Sequence, residues 1–395
     1  MNVLGLGPSH SSPSLVERGV LLASLLPFRQ AQQVLARFSQ VVVTAETLRV
    51  WSLRLGSAVG ALDAACLADL EQHLPDPPAG PALQQLSVDG VMVGLRDGTW
   101  AEVRTLALGT LSVPDGRGDS EPLTTDLSYF ARLVDAERFG HLATVETHRR
   151  GTLSAGRVVG VVDGAPWCQG FLDLQRHDAV RILDFAHAVG YLAAAAEARY
   201  PSEPLRAQTW LAAQRQELRS GDATRVIAQL ASWLAEDAAA QSGPIGTAHG
   251  YLSSRLEQIR YSDFRAAGYP IGSGIVESAN KLLVEARLKG RGMHWARTSV
   301  NPLLCLRCLL GNGRWEASWP AIWEQVRHEV RRTTAQRRTQ RRQRRVLVSA
   351  PVPQPPSAPV VQSTGAPPRP KLVVNGKPTT EHPWRKHDFR ARVTA

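Results

Sequence analysis

Apolar residues from Val16 to Ala64 recur at helical spacing, with breaks at Pro27 and near Val41. The segment Pro27 to Phe38 places Phe28, Ala31, Val34, Leu35 and Phe38 on one helical face. After the second break Thr44 is a suitable N-cap for a helix holding Leu48, Trp51 and Leu55. Helix, short break, helix fits a helix-turn-helix that reads DNA, but many αα-hairpins that only pack look the same, and plain packing is the favoured reading. The run PDPPAGP (75–81) then marks a linker.

Beyond the linker the period changes. Leu83 to Leu95 and Thr99 to Val113 read as strands joined by the Arg96–Gly98 turn, and DGRGDS (115–120) reads as a loop. Tyr129 to Arg150 has helical spacing, with Phe130, Leu133, Val134 and Leu142 on one side. RVVGVV (157–162) is almost wholly apolar, as in a strand buried on both faces. A helix, a strand over Ala179–Leu183 and an Ala-rich helix over Phe185–Tyr200 follow, so the pattern predicts an α/β mixed sheet with helices on both faces. Pro201 to Ala267 is polar and helical throughout. Further helices are expected from Ile275 to about Leu288, over Val300–Leu310, and from Ser318 to about Arg332.

Charge sharpens this outline. The net charge is +11, yet 16 Lys+Arg and 3 Asp+Glu lie from Arg327 onward, leaving 30 basic and 32 acidic residues before it. A near-neutral body carrying a basic tail points to nucleic acid or an anionic membrane. Nine arginines fall between Arg327 and Arg345, including Arg337, Arg338, Arg341 and Arg342, and such a cluster suits phosphate contact. With 43% apolar and 21% charged residues the chain is not wholly disordered. The early apolar run Val20–Pro27 is too short to span a bilayer, and four Cys do not build a disulfide framework. The expectation is a cytoplasmic, reduced protein without a membrane partner. Cys305 and Cys308 form a C-x-x-C inside an apolar helix, a pattern that favours buried small residues over a zinc site.

Three acids stand out by position: Asp89 within the first strand, Asp163 at the end of VVGVVD, and Glu277 on the first turn of a helix introduced by Gly272–Ser273–Gly274. Carboxylates at the ends of buried strands are costly to desolvate unless a cation or hydrogen bonds compensate. Brought together, three would suit two hard divalent cations and phosphodiester chemistry. Taken singly, each also fits a turn or a helix-dipole partner. Asp184 closes the next strand and begins Asp184-Phe185-Ala186-His187, which suits an acid/base couple, a supporting pair beside a metal, or an N-cap with a solvated His187.

From Tyr269 to Trp295 the sequence YPIGSGIVESANKLLVEARLKGRGMHW resembles the C-terminal catalytic block of DDE transposases of bacterial insertion sequences. LSVDG at Leu86, VVDGAPW at Val161, ILDFAHAVGYL at Ile182 and HPW at His382 fit the same family, in order, with 74 and 114 residues separating the three carboxylates. The resemblance implies an RNase H-like fold with a helical insertion, and Asp89, Asp163 and Glu277 as catalytic and metal-holding residues. It implies two Mg²⁺ ions, with Mn²⁺ as an alternative, and a supporting motif at Asp184 and His187. Lys281, Arg287, Lys289 and Arg291 would face DNA, with element ends and target as partners and a homo-oligomer forming on the DNA, in the bacterial nucleoid. The implied organisation is an N-terminal helical region (1–74), a linker (75–82), a catalytic domain in two parts (83–200 and 269–326), a helical insertion (201–268) and a disordered basic, Pro-rich tail (327–395). The implied activity is metal-dependent DNA cleavage and strand transfer by the freed 3′-OH; the alternative is an RNase H-like nuclease, or a domesticated DNA-binding protein without activity.

Overall fold

Alternating burial builds the sheet at the centre of this computed structural model, which describes residues 11–112, 122–349, 373–374, 377–380 and 382. The DGRGDS loop, most of the Pro-rich stretch, and Pro383–Trp384 of HPW lie outside the described residues. Strands β1 (Leu83–Gly94) and β2 (Trp100–Ser112) pair antiparallel across the Arg96–Gly98 turn. There Gly98 takes φ +84°, and the Asp97 carboxylate accepts the Thr99 N–H at 3.0 Å.

β3 (Leu123–Arg132) pairs antiparallel with β2, which corrects the expected helical start at Tyr129. Helix α4 (Ala136–Arg149) begins only after Asp135, whose carboxylate accepts the Arg138 N–H at 2.8 Å. A strand, a short turn and a helix all contribute apolar residues here, and together they imitate one helical stripe. The outer edge of β3 is satisfied by side chains rather than by another strand. Asn312 and Asn301 each accept from and donate to the backbone, at Tyr129 and at Leu133 respectively.

β4 (Arg157–Val162) lies parallel to β1, α5 (Pro166–Arg176) crosses over, and β5 (Val180–Leu183) lies parallel to β4. The order β3-β2-β1-β4-β5 makes a five-stranded mixed sheet. Because successive side chains alternate faces, Leu86, Val88, Val158 and Val162 bury against Phe139 of α4 and Phe171 and Leu172 of α5. On the other face Val159, Val161 and Ile182 bury against α6 (Phe185–Arg199) and the helical segment that follows it. That segment comprises α7 (Pro204–Ser220), α8 (Ala223–Glu236), α9 (Pro244–Ser253) and α10 (Tyr261–Ala266), with no strand among its described residues.

The same face of β1 and β2 is covered by a later segment. α11 (Gly274–Ala279) runs into a π-helical stretch over Asn280–Glu285 and then α12 (Ala286–Leu288), followed by α13 (Arg297–Gly311). Val276, Ala279, Leu283 and Val300 bury there against Val91, Val93 and Val103.

The N-terminal helices α1 (Pro13–Leu25), α2 (Phe28–Ser39) and α3 (Ala45–His73) share a core with α13 and with α14 (Trp315–Ser349). Thr44 caps α3 as expected, its Oγ1 accepting the Thr47 N–H at 3.1 Å. At Gly56 a Cβ would meet the Pro302 carbonyl oxygen at 2.0 Å, so only glycine permits this approach of α3 to α13. Among the described residues α3 is the one helix long and apolar enough to cross a membrane, and it buries Leu48, Trp51 and Leu55 in this core. α14 extends through Ser349 instead of ending near Arg332. The arginine cluster expected in a disordered tail is therefore helical, in keeping with the good helix propensity of Arg and Gln. The chain divides into two units, Met1–Ala335 and Gln336–Ala395; the second carries the end of α14 and a short ladder pairing Val373–Val374 with Lys377–Pro378.

Candidate active site

Strand register places the acids. β1 and β4 pair with Leu86 opposite Gly160, an offset of 74 residues, which is also the separation of Asp89 from Asp163. β4 and β5 pair with Val162 opposite Leu183, an offset of 21, which is also the separation of Asp163 from Asp184. The same offsets relate the three acids: Asp89 lies inside β1, three residues past its last pair with β4, while Asp163 and Asp184 lie one residue past β4 and β5.

Hydrogen bonding then separates their roles. Asp184 is 5% exposed and both of its oxygens are occupied. Oδ1 accepts the His187 N–H at 2.8 Å, capping α6, and Oδ2 accepts the Ser273 N–H at 2.7 Å, docking the loop ahead of α11. His187 is exposed and its ring packs edge-on to Tyr191 at 5.5 Å. Of the roles open to this pair, the cap is the one made.

Asp89 is gripped differently. Its Oδ1 accepts the Gly90 N–H at 2.7 Å and its Oδ2 accepts Asn280 Nδ2–H at 2.9 Å. Burial pushes its carboxyl up to about 6; the Gly90 N–H opposes this, and the charges of Asp163 and Glu277 add to it. Glu277 is exposed and lies three residues before Asn280, which puts both on the side of the helix facing β1. Asn280 Oδ1 is buried with no hydrogen-bond partner. The π-helical turn begins at Asn280, and such turns recur where a functional side chain has been re-aimed.

Asp163 is held by the crossover helix and the inserted helices. Its Oδ1 accepts the Ala165 N–H at 2.9 Å and the Cys168 thiol at 3.2 Å. Cys168 is fully buried, and burial pushes its thiol well up, with the Asp163 charge adding to this, so it remains a neutral donor. From α9, Tyr251 Oη donates to the Asp163 carbonyl at 2.5 Å. Arg255 donates to the Gly164 carbonyl at 3.0 Å and stacks 3.8 Å over the Tyr251 ring. Gly164 sits at φ +79°, where a Cβ would meet Tyr251 Oη at 2.5 Å. A side chain at 164 would expel this clamp.

Among the described residues no three His, Cys, Asp or Glu side chains form a group that could hold a metal ion. Asp89, Asp163 and Glu277 are coupled through charge without being gathered on one point.

The basic residues divide. Lys281 and Arg291 are exposed, and Lys289 is exposed but pairs with Glu285 at 2.8 Å. Arg287 corrects the expectation that it faces DNA: it is 1% exposed. Its Nε donates to the Ala23 carbonyl at 2.9 Å, and its guanidinium lies between the Phe28 and Trp295 rings at 4.7 and 5.1 Å. Burial, and secondarily Arg307, lowers it to about 10. It ties α1 and α2 to the last helices. Arg337, Arg338 and Arg341 are exposed on α14, and the side chain of Arg342 lies outside the described residues. Cys305 and Cys308 are buried free thiols.

Asn280, Cys168, Tyr251 and Arg255 carry much of this geometry and have no local sequence signature. The repeated four-residue spacing of Tyr251 and Arg255 is the nearest thing to a signal. In comparisons with known proteins, no family model and no curated protein matches the chain.

Proposed function

We propose that this protein is a DDE-type transposase that cleaves DNA at the ends of its own mobile element and joins the freed 3′-OH to target DNA. The observation that carries this reading is that Asp89 of β1 and Asp163, just past the neighbouring parallel strand β4, share the offset of that ladder, with the charges of Asp163 and Glu277 adding to the burial that raises Asp89. A mixed sheet whose fourth strand lies beside its first, with helices on both faces, supports an RNase H-like fold.

The donor types suit a hard divalent cation once drawn together: three carboxylates, of which Asp89 is disfavoured as an anion by burial and then by the other two charges, beside a buried amide oxygen with no partner. Asp89, Asp163 and Glu277 would hold two Mg²⁺ ions, with Mn²⁺ as a substitute. Bound there, the ions would supply Lewis-acid stabilisation for in-line displacement at phosphorus, first by water and then by the 3′-OH. Asn280 fixes the rotamer of Asp89, Cys168 and the Ala165 N–H fix Asp163, and the Tyr251–Arg255 clamp fixes the turn that carries it. Exposed Lys281 and Arg291 contact the DNA backbone, and no covalent protein–DNA intermediate is required. The arginines of α14 add sequence-independent affinity. Work at the nucleoid as a homo-oligomer on DNA follows from this activity.

The loose gathering of the carboxylates favours one alternative, a DNA-binding protein that keeps the fold without the reaction. The test is a cleavage and strand-transfer assay with Mg²⁺ on duplexes carrying the inverted repeats that flank the gene. Asp89→Ala, Asp163→Ala and Glu277→Ala should each lose more than the roughly 10–100-fold that removal of a supporting residue costs. Unchanged strand transfer in Asp163→Ala or Glu277→Ala would refute the assignment. Nicking without joining would point to a nuclease, and binding without either reaction to the inactive alternative.

A further inference from the structure

Beside Glu277 a cleft of about 440 Å³ is lined by Arg215, Arg219, Arg265, Asp184, Tyr269 and Glu277. Its volume falls within the roughly 300–1,000 Å³ of ordinary ligand sites. Arg215 and Arg219 lie one turn apart on α7, hence on one face. Arg265 comes from α10, where its guanidinium lies 3.5 Å from Ser220 Oγ at the end of α7.

Other arginines of these helices are held by local acids: Arg206 by Glu203, Arg225 by Glu217, and Arg260 by Glu257 and Asp263. Among the described residues Arg215 and Arg265 form no ion pair, although both are exposed and both line the cleft. Asp184, which also lines the cleft, has already given both oxygens to backbone N–H groups. The guanidinium groups of Arg215 and Arg265, facing a cleft that also holds Glu277, are arranged for an external polyanion. One phosphate is satisfied by a single bidentate arginine. Arginines spread over two helices suit successive phosphates of a chain.

We propose that Arg215 and Arg265 bind the sugar-phosphate backbone of DNA next to the bond that is cut. The helical insertion thereby forms part of the substrate site rather than only a cover for the sheet. This inference rests on the reading of the carboxylates as a DNA-cleaving centre.

Its test is the salt dependence of equilibrium binding of the full-length protein to a short fluorescent duplex of arbitrary sequence, measured without Mg²⁺. Each lost phosphate contact reduces the slope of log K against log salt by about 0.9. The double variant Arg215→Ala/Arg265→Ala should flatten the slope by about 2, and Arg215→Lys/Arg265→Lys should restore it because charge is kept. Both side chains are exposed, so melting should be unchanged. An unchanged slope in the alanine pair, or a slope the lysine pair does not restore, overturns the inference. Binding without metal does not depend on whether the carboxylates cut DNA, so this result and the cleavage assay fail independently.

Discussion

Asp89 is the residue whose energetics say most about the site. Its carboxyl titrates near 6 against an ordinary 3.8, because burial and two neighbouring negative charges disfavour ionisation. A raised folded-state value means the native protein holds this proton more tightly than the unfolded chain. The native state therefore loses stability as pH climbs from about 4 to about 6, and carries the full penalty above that. Two units correspond to roughly 3 kcal/mol. Asp89→Asn removes the charge but also one accepting oxygen, so it should stabilise the metal-free protein by about 1–2 kcal/mol at pH 8. At pH 3 it should leave stability nearly unchanged; denaturant titration at the two pH values reads both outcomes. Asp89, Asp163, Glu277 and Asp184 were legible in the sequence because each interrupts an apolar or glycine-rich word. Asn280 and Tyr251 were not, since their partners lie 191 and 88 residues away. Arg287 misled because spacing reveals a charge but not the Phe28 and Trp295 rings that enclose it.

Among the elements, the π-helical stretch over Asn280–Glu285 has a specific support. Arg307 of α13 is buried and donates to the carbonyls of Leu282, Leu283 and Ser24. Its guanidinium satisfies backbone oxygens at the wide turn that brings Asn280 to Asp89. Arg307→Met keeps most of the volume and leaves those acceptors without partners, at about 1–3 kcal/mol for each buried group left unsatisfied. A loss of more than about 3 kcal/mol is expected in thermal or urea unfolding; a loss under about 1 kcal/mol would show that the turn does not depend on this arginine. The helix itself was foreseeable from its apolar spacing. Its π geometry was not, because the extra residue per turn is imposed by contacts with β1 and α13. β3 illustrates the opposite failure. Its end is held by Asn312 at Tyr129 and by Asn301 at Leu133, and its residues from Tyr129 onward read as helical.

At the scale of the whole molecule, charge and core are separated along the chain. The unit ending at Ala335 contains the sheet, its covering helices and all four apolar cores. Six arginines between Arg337 and Arg345 lie beyond it. A chain ending at Ala335 should melt within about 2–4 °C of the full-length protein. Its non-specific DNA binding should show a shallower salt dependence, by about 0.9 for each arginine that had met a phosphate. A large fall in melting temperature, or an unchanged salt slope, would contradict this division of labour.

The sequence by itself determined the strands of the central hairpin, the apolar strands that follow, the all-helical segment after them, and the acids Asp89, Asp163 and Asp184 within or just past those strands. These depend on period and on local interruption, which neighbouring residues encode. Only the tertiary structure decided that Asp184 caps a helix, that Asp163 is clamped by Tyr251 and Arg255, that Arg287 is interior, and that Arg215 and Arg265 line a cleft beside Glu277. Each of those outcomes depends on which distant segment packs alongside, and burial and hydrogen-bond partnership are properties of that packing.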